Sequence, residues 1–286
     1  MRQIIGILMT MELMVGLVGC GNETEVVTET QPQTGNLIEE YEVYRAEESN
    51  KRIKHGYYKS YYENGQMWKE GNYKSGIKNG KWVEYDENGN TLREGNYKDG
   101  KEHGTWVEYY ENGQIWKEEK YKNGIKNGKW ISYHDNGQVL RDGNYKEGAK
   151  DGKWLGYHDN GKMWKEGKYK NGKEHGKWIG YHDNGKLWRE GKYKNGQKEG
   201  QWVWYDDNGK LWTEENYKDG QLNGKWVSHY KDGSVFYGGN YKGGKLNGKW
   251  VWYDEDGNTK DEDIWEDGKC VEMCEGDWTE TKLLRD

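Results

Sequence analysis

The chain has 286 residues, 44 Lys and Arg against 50 Asp and Glu, and a formal net charge of -6. Leu, Ile, Val and Phe make up roughly 13% of it, a level at which chains ordinarily stay disordered. Disorder is nevertheless excluded by 17 Trp and 24 Tyr, rings that each bury roughly 150 to 250 Å², and collagen by the single Pro and the absence of a Gly in every third place.

Residues 1–20, MRQIIGILMTMELMVGLVGC, set Arg2 before an apolar run too short for a permanent membrane span, the pattern of an export signal. The run ends Leu17-Val18-Gly19-Cys20, which resembles the bacterial lipobox, where cleavage before the cysteine frees its thiol for a lipid. Residues 1–19 are thus expected to be a lipoprotein signal peptide and Cys20 the anchor, which puts the protein in the bacterial cell envelope, on an outer membrane or the cell surface. Residues 20–50 are polar and acidic, hold Pro32, and read as a flexible tether. Within that stretch, Tyr41 to Tyr44 suit an N-terminal strand capping the folded part of the chain.

From residue 56 the chain repeats every 24 residues without a slip. Gly recurs at 56, 80, 104 and so on to 248, with Trp two places later in all but the first unit, which has Tyr58. A second glycine series runs from Gly65 to Gly257, preceded by Asn or Asp, and a third from Gly76 to Gly268. Each unit reads as two short aromatic, β-branched runs joined at Asn-Gly or Asp-Gly, the dipeptide that supplies the positive φ angles of a tight hairpin. No segment keeps a 3.6-residue period and glycine interrupts every dozen residues or fewer, which argues against helices in the repeats. The expected fold is all-β: nine 24-residue antiparallel β-hairpins over residues 56–271, side by side in one elongated sheet of roughly 85 Å at about 4.8 Å per strand. Trp82 and Tyr85 differ in parity, so rings should cover both faces unless a bulge re-registers them. Glycines at 71, 95, 143, 167 and 191 leave bare backbone on which a neighbouring ring can lie. Residues 272–286 close the chain as a cap or tail.

Catalytic signals are weak. The seven histidines fall on repeat positions, and equivalent atoms of successive hairpins stand about 9.6 Å apart, too far to share a metal. The Gly76 to Trp82 segment spaces its glycines wrongly for a phosphate loop. Neither a metal nor a cofactor is expected, and the chain reads as a binding protein without enzymatic activity. Cys270 and Cys274 are the candidate disulfide, but an extended strand would hold their Cα atoms about 13 Å apart. Pairing therefore demands a turn or helical cap there. The array is basic between acidic ends, and its candidate binding surface is Trp116, Trp164, Trp188 and Trp212 with the cations that follow three of them, Lys117, Lys165 and Arg189. Such a surface suits a protein partner or anionic lipid, and a wall glycan through ring stacking. Nucleic acid would suit it too, but the export signal argues against that.

The stretches GNYKDGKEHGTW (95–106) and GKYKNGKEHGKW (167–178) resemble the MORN (membrane occupation and recognition nexus) repeat, and more closely its second bacterial variety, found in antitoxin- or immunity-type proteins. The resemblance implies an elongated hairpin array that serves as a scaffold or contact surface without catalysis, with an antitoxin or immunity role as the alternative.

Overall fold

The computed structural model describes residues 13–15, 24–31, 34–46 and 51–274, and the chain divides into two units, through Ala149 and from Lys150. Cys20 and residues 275–286 lie outside the described residues, as does most of the expected signal peptide. In the first unit, strands run from Leu13–Val15 and Thr24–Thr30 through Leu37–Arg45 and Arg52–Tyr61 to Val139–Lys146, each antiparallel to the next. In the second they run from Ala149–Tyr157 and Met163–Lys170 to Thr259–Glu266 and Lys269–Glu272 in the same successive order. No helix occurs among the described residues. The all-β hairpin architecture is thus as expected.

The turns differ from the sequence reading. The two-residue turns carrying positive φ at both positions are not at Asn64-Gly65 and its equivalents. They are at the third glycine series, for example Ser75-Gly76 (φ 52° and 77°), closed by the Lys74 and Ile77 pair, the geometry that matches strand twist. At Asn64-Gly65 only the glycine has positive φ. There the Gly65 N–H donates to the Tyr62 carbonyl, and the Asn64 side chain accepts from the Gln66 N–H at 2.9 Å. Asn is selected at that place for its side-chain acceptor. Its amide also donates to the Glu87 carbonyl of the next such turn at 2.9 Å, stitching neighbouring repeats together.

The longer turn is followed by a bulge. Ser60 pairs with Lys69 and Tyr61 with Met67, so Trp68 is left over, and the same slip singles out Trp116, Trp164, Trp188 and Trp212. A second slip, between the Glu70–Val83 and Asn72–Asn79 pairs, brings the Trp82 indole flat onto Gly71. A Cβ on Gly71 would stand 2.3 Å from that ring. Gly95, Gly167, Gly191 and Gly239 are covered in the same way by Trp106, Trp178, Trp202 and Trp250. Each of these indoles donates its Nε1 proton to the carbonyl one residue past its glycine, at 3.1 to 3.2 Å. A neutral hydrogen bond of this kind leaves no buried donor orphaned.

Trp82 pairs across to Gly95 and Val83 to Glu94, so the two faces are chemically distinct. On the Trp face of the first unit, edge-to-face contacts run Tyr73–Trp82 at 5.2 Å, Trp82–Tyr97 at 6.0 Å and Tyr97–Trp106 at 5.1 Å. Contacts of this type add about 0.5 to 1.5 kcal/mol each beyond area burial. They form the core around buried Tyr58, Trp82 and Trp106. The second unit repeats the pattern through Trp154, Tyr169, Trp178, Tyr193 and Trp202. The opposite face also carries rings, but hydrogen-bonded ones. Tyr85, Tyr109 and Tyr133 each donate to a Glu at 2.7 Å. Burial followed by that bond to a carboxylate pushes the Tyr85 hydroxyl up to about 12.

The expected tether requires a correction. Residues 24–30 and 37–45 are strands continuing the sheet of the first unit. Val27 and Val43 are almost wholly buried, and the acidic residues are held by partners. Glu25 meets Arg45 at 2.8 Å and Arg52 at 3.3 Å, which lowers its pKa, while Glu29 accepts from Tyr41 at 2.7 Å. Composition misled because two valines at the right parity and compensating cations suffice to extend an edge that already exists. The Tyr41 to Tyr44 strand is where the sequence put it.

Candidate functional site

The site is built by one variable position read against a constant cation. Two residues after Trp82, Trp106, Trp130, Trp154, Trp178 and Trp202 come Glu84, Glu108, Ser132, Gly156, Gly180 and Trp204 in successive repeats. They share the Trp face and pair across the sheet with Lys69, Arg93, Lys117, Arg141, Lys165 and Arg189. In the first unit the glutamates neutralise those cations: Lys69–Glu84 is 3.2 Å, Arg93–Glu108 3.4 Å and Lys117–Glu108 3.1 Å. Arg93 is further bound by Glu102.

In the second unit the two glutamates are replaced by Gly156 and Gly180, with two effects. The bulge indoles fold onto the bared backbone: Trp164 Nε1 comes within 2.5 Å of where a Gly156 Cβ would be, and Trp188 within 3.1 Å of one on Gly180. Trp68, at the bulge beside Ser60, and Trp116, at the bulge beside Glu108, are instead 42% exposed each, whereas Trp164 and Trp188 are half-buried. Arg189 also loses its carboxylates. Its cross-strand neighbours are Gly180 and Trp204, and Lys198 stands where Arg93 has Glu102. Among the described residues no carboxylate lies within ion-pair distance of Arg189. Its guanidinium rests on rings, 4.3 Å from the centre of Trp188 and 5.1 Å from that of Trp204. Lys165 lies 4.4 Å over Trp164 and 5.7 Å over Trp178. Cations over indole faces are held by the ring quadrupole.

Between these groups the second unit forms a partly open pocket of about 140 Å³, lined by Trp164, Trp178, Trp188 and Trp202 with Gly180, Lys165, Arg189, Tyr193 and Glu174. Glu174 accepts from the Tyr169 hydroxyl at 3.2 Å. Lys198 stands near Arg189 over Trp202 and Trp204, at 4.8 and 5.0 Å. Burial, followed by the like charge of Arg189 against the opposing pull of Glu215, lowers its pKa. The pocket is thus aromatic and cationic, with one carboxylate acceptor.

Of the residues expected on a binding surface, Trp164, Lys165, Trp188 and Arg189 come together here. Trp116 and Lys117 form a separate exposed pair in the first unit, with the ammonium 4.7 Å over the ring. Trp212 is 50% exposed and is followed by Thr213, so no cation caps it. Sequence reasoning missed Trp68, whose ring lies under Lys69 at 4.2 Å, and missed Gly156 and Gly180, which are visible only as breaks in a column of glutamates. Cys270 and Cys274 form a disulfide with Cα atoms 6.0 Å apart, across a turn in which Met273 has φ 61°. The histidines serve local contacts, such as His182 Nε2 with the Tyr205 carbonyl at 3.0 Å and His158 with Asp183 at 3.2 Å.

A covered glycine, a covering Trp and two turn types repeating every 24 residues define a β-hairpin repeat protein. The family model of the MORN repeat variant matches residues 54–75, 78–99, 102–123, 126–147, 150–171, 174–195, 198–219 and 246–267, more than half of the chain. The chain belongs to the MORN repeat family. The stretch without a match contains Gln221–Leu222 and Gly224–His229, one strand interrupted at Asn223, followed by Val235–Lys242. A search of curated proteins gave no match.

Proposed function

We propose that the protein is a non-catalytic repeat scaffold of a bacterial cell envelope, anchored through a lipid on Cys20, whose Trp face contacts a protein partner or an anionic membrane surface. The observation that carries the reading is the recurrence of an indole capped by a cation at the same bulge, Trp68 with Lys69, Trp116 with Lys117, Trp164 with Lys165 and Trp188 with Arg189. Aromatic anchors beside cations are the chemistry of contact surfaces, and repetition multiplies weak contacts into avidity. Support for the anchor comes from the Leu17 to Cys20 sequence.

Cells fed radiolabelled palmitate should label the wild-type chain and leave Cys20→Ser unlabelled. Equal labelling of the two would end the anchoring reading.

A further inference from the structure

We infer that the cavity between Trp164 and Trp188 binds a carboxylated pyranose, a uronic-acid-type sugar unit. This rests on the reading of the Trp face as a contact surface and names the ligand of one part of it.

Three observations converge. The first is size: about 140 Å³ is close to the volume that accepts a benzene-sized ring, so one edge of a pyranose seats in the pocket while its other substituents stay at the open mouth. The second is the nature of the walls. Two indoles a repeat apart, set beside glycines at 156 and 180, line the pocket and give the C–H groups of a sugar ring apolar surface to pack on. The third is charge. At Lys69, Arg93 and Lys117 the same cation position is satisfied internally by Glu84 and Glu108, but Arg189 has no such partner among the described residues, and Lys198, itself 3.9 Å from Glu215, stands near it. A guanidinium fixed by stacking presents its free N–H edge for two parallel bonds to an incoming carboxylate. Glu174, at the same cavity, accepts hydrogen bonds and so suits sugar hydroxyls. An inorganic anion would leave the indole walls unused, and a neutral sugar would leave Arg189 without its counter-charge.

The test is calorimetric titration of the full chain with glucuronate, glucose and acetate. Glucuronate should bind, and glucose roughly tenfold more weakly, the value of one charge-assisted contact. Arg189→Gln should bring glucuronate down to the level of glucose, and Trp188→Ala should abolish both. Gly180→Glu, which restores the carboxylate of the first unit, should also remove the preference for the acid, while Arg93→Gln should leave binding unchanged. Equal affinity for glucose and glucuronate, acetate binding as tightly as glucuronate, or no heat with any of the three would overturn the proposal. Phosphatidylglycerol vesicles form a separate arm. Vesicle binding with no glucuronate binding sinks the sugar site and leaves the scaffold reading standing, whereas glucuronate binding with no vesicle binding supports the sugar site and removes an anionic membrane as the contact of the Trp face.

Discussion

Gly95→Ala is expected to destabilise the hairpins around it by about 3 kcal/mol, the range of a lost core aromatic. The added methyl would stand 2.2 Å from Trp106 Cδ2 and 2.5 Å from Cε2, so the indole has to leave. Trp106 is 2% exposed, bonds the Asn96 carbonyl at 3.2 Å and packs edge-on against Tyr97, and all three interactions go with it. Hydrogen exchange of the amides in Thr91–Lys98 and Lys101–Tyr109 is the right measure, because repeat arrays open locally. Protection there should fall while distant repeats keep theirs. In a Trp106→Ala background the same glycine substitution should cost almost nothing, since the clash has no partner. Additive costs would refute the stacking argument.

The second large effect concerns the repeat in which glycine gives way to Glu119. Trp130 cannot lie on that backbone, and the carboxylate takes over: Glu119 is 3% exposed and accepts from Lys126 at 2.6 Å, Tyr121 at 2.7 Å and Trp130 at 2.8 Å. Burial alone would raise its pKa. The three hydrogen bonds and the charge of Lys117 outweigh burial and bring it down to about 2. A carboxyl whose folded pKa is depressed contributes its full stabilisation above the unfolded value and loses it as pH falls through the folded one. The first unit should therefore weaken between about pH 4.5 and pH 2. Glu119→Gln should remove that dependence and cost about 2 to 3 kcal/mol at neutral pH, below the usual figure for a broken buried pair because Lys126 remains 35% exposed. Glu119→Gly should restore much of the loss, because Trp130 can then settle on bare backbone as Trp106 does. Urea midpoints of the three proteins at pH 7 and pH 3 decide the matter. A glycine variant as weak as the glutamine one would show that Trp130 does not follow the pattern of its neighbours.

The repeat was legible because its determinants are local and few. A Trp, a bare Gly eleven residues before it and a turn dipeptide identify the hairpin, and Gly71, Gly95, Gly167 and Gly191 lie under indoles as their spacing implied. The turn type was misassigned because Asn-Gly satisfies two geometries. Only the pairing of Lys74 with Ile77 reveals that the two-residue turn lies at Ser75-Gly76. The strands at 24–30 and 37–45 were hidden by an acidic composition whose cations come from elsewhere in sequence, such as Arg52 for Glu25. The cavity was half legible. Trp164, Lys165, Trp188 and Arg189 stand out as residues, but the bulge that turns the indoles onto the Trp face, and the meaning of two glycines in a column of glutamates, depend on register across the sheet.

Indoles lying on glycines at a fixed interval hold the fold together, and the chemical shifts of glycine Hα protons test this most directly, because a proton under the face of an indole is shielded. The Hα resonances of Gly71, Gly95, Gly167, Gly191 and Gly239 should all lie well upfield of the turn glycines, and Trp106→Leu should return Gly95 alone to the ordinary range. Five glycines with ordinary shifts, or a Trp106 substitution that leaves Gly95 unmoved, would contradict the account.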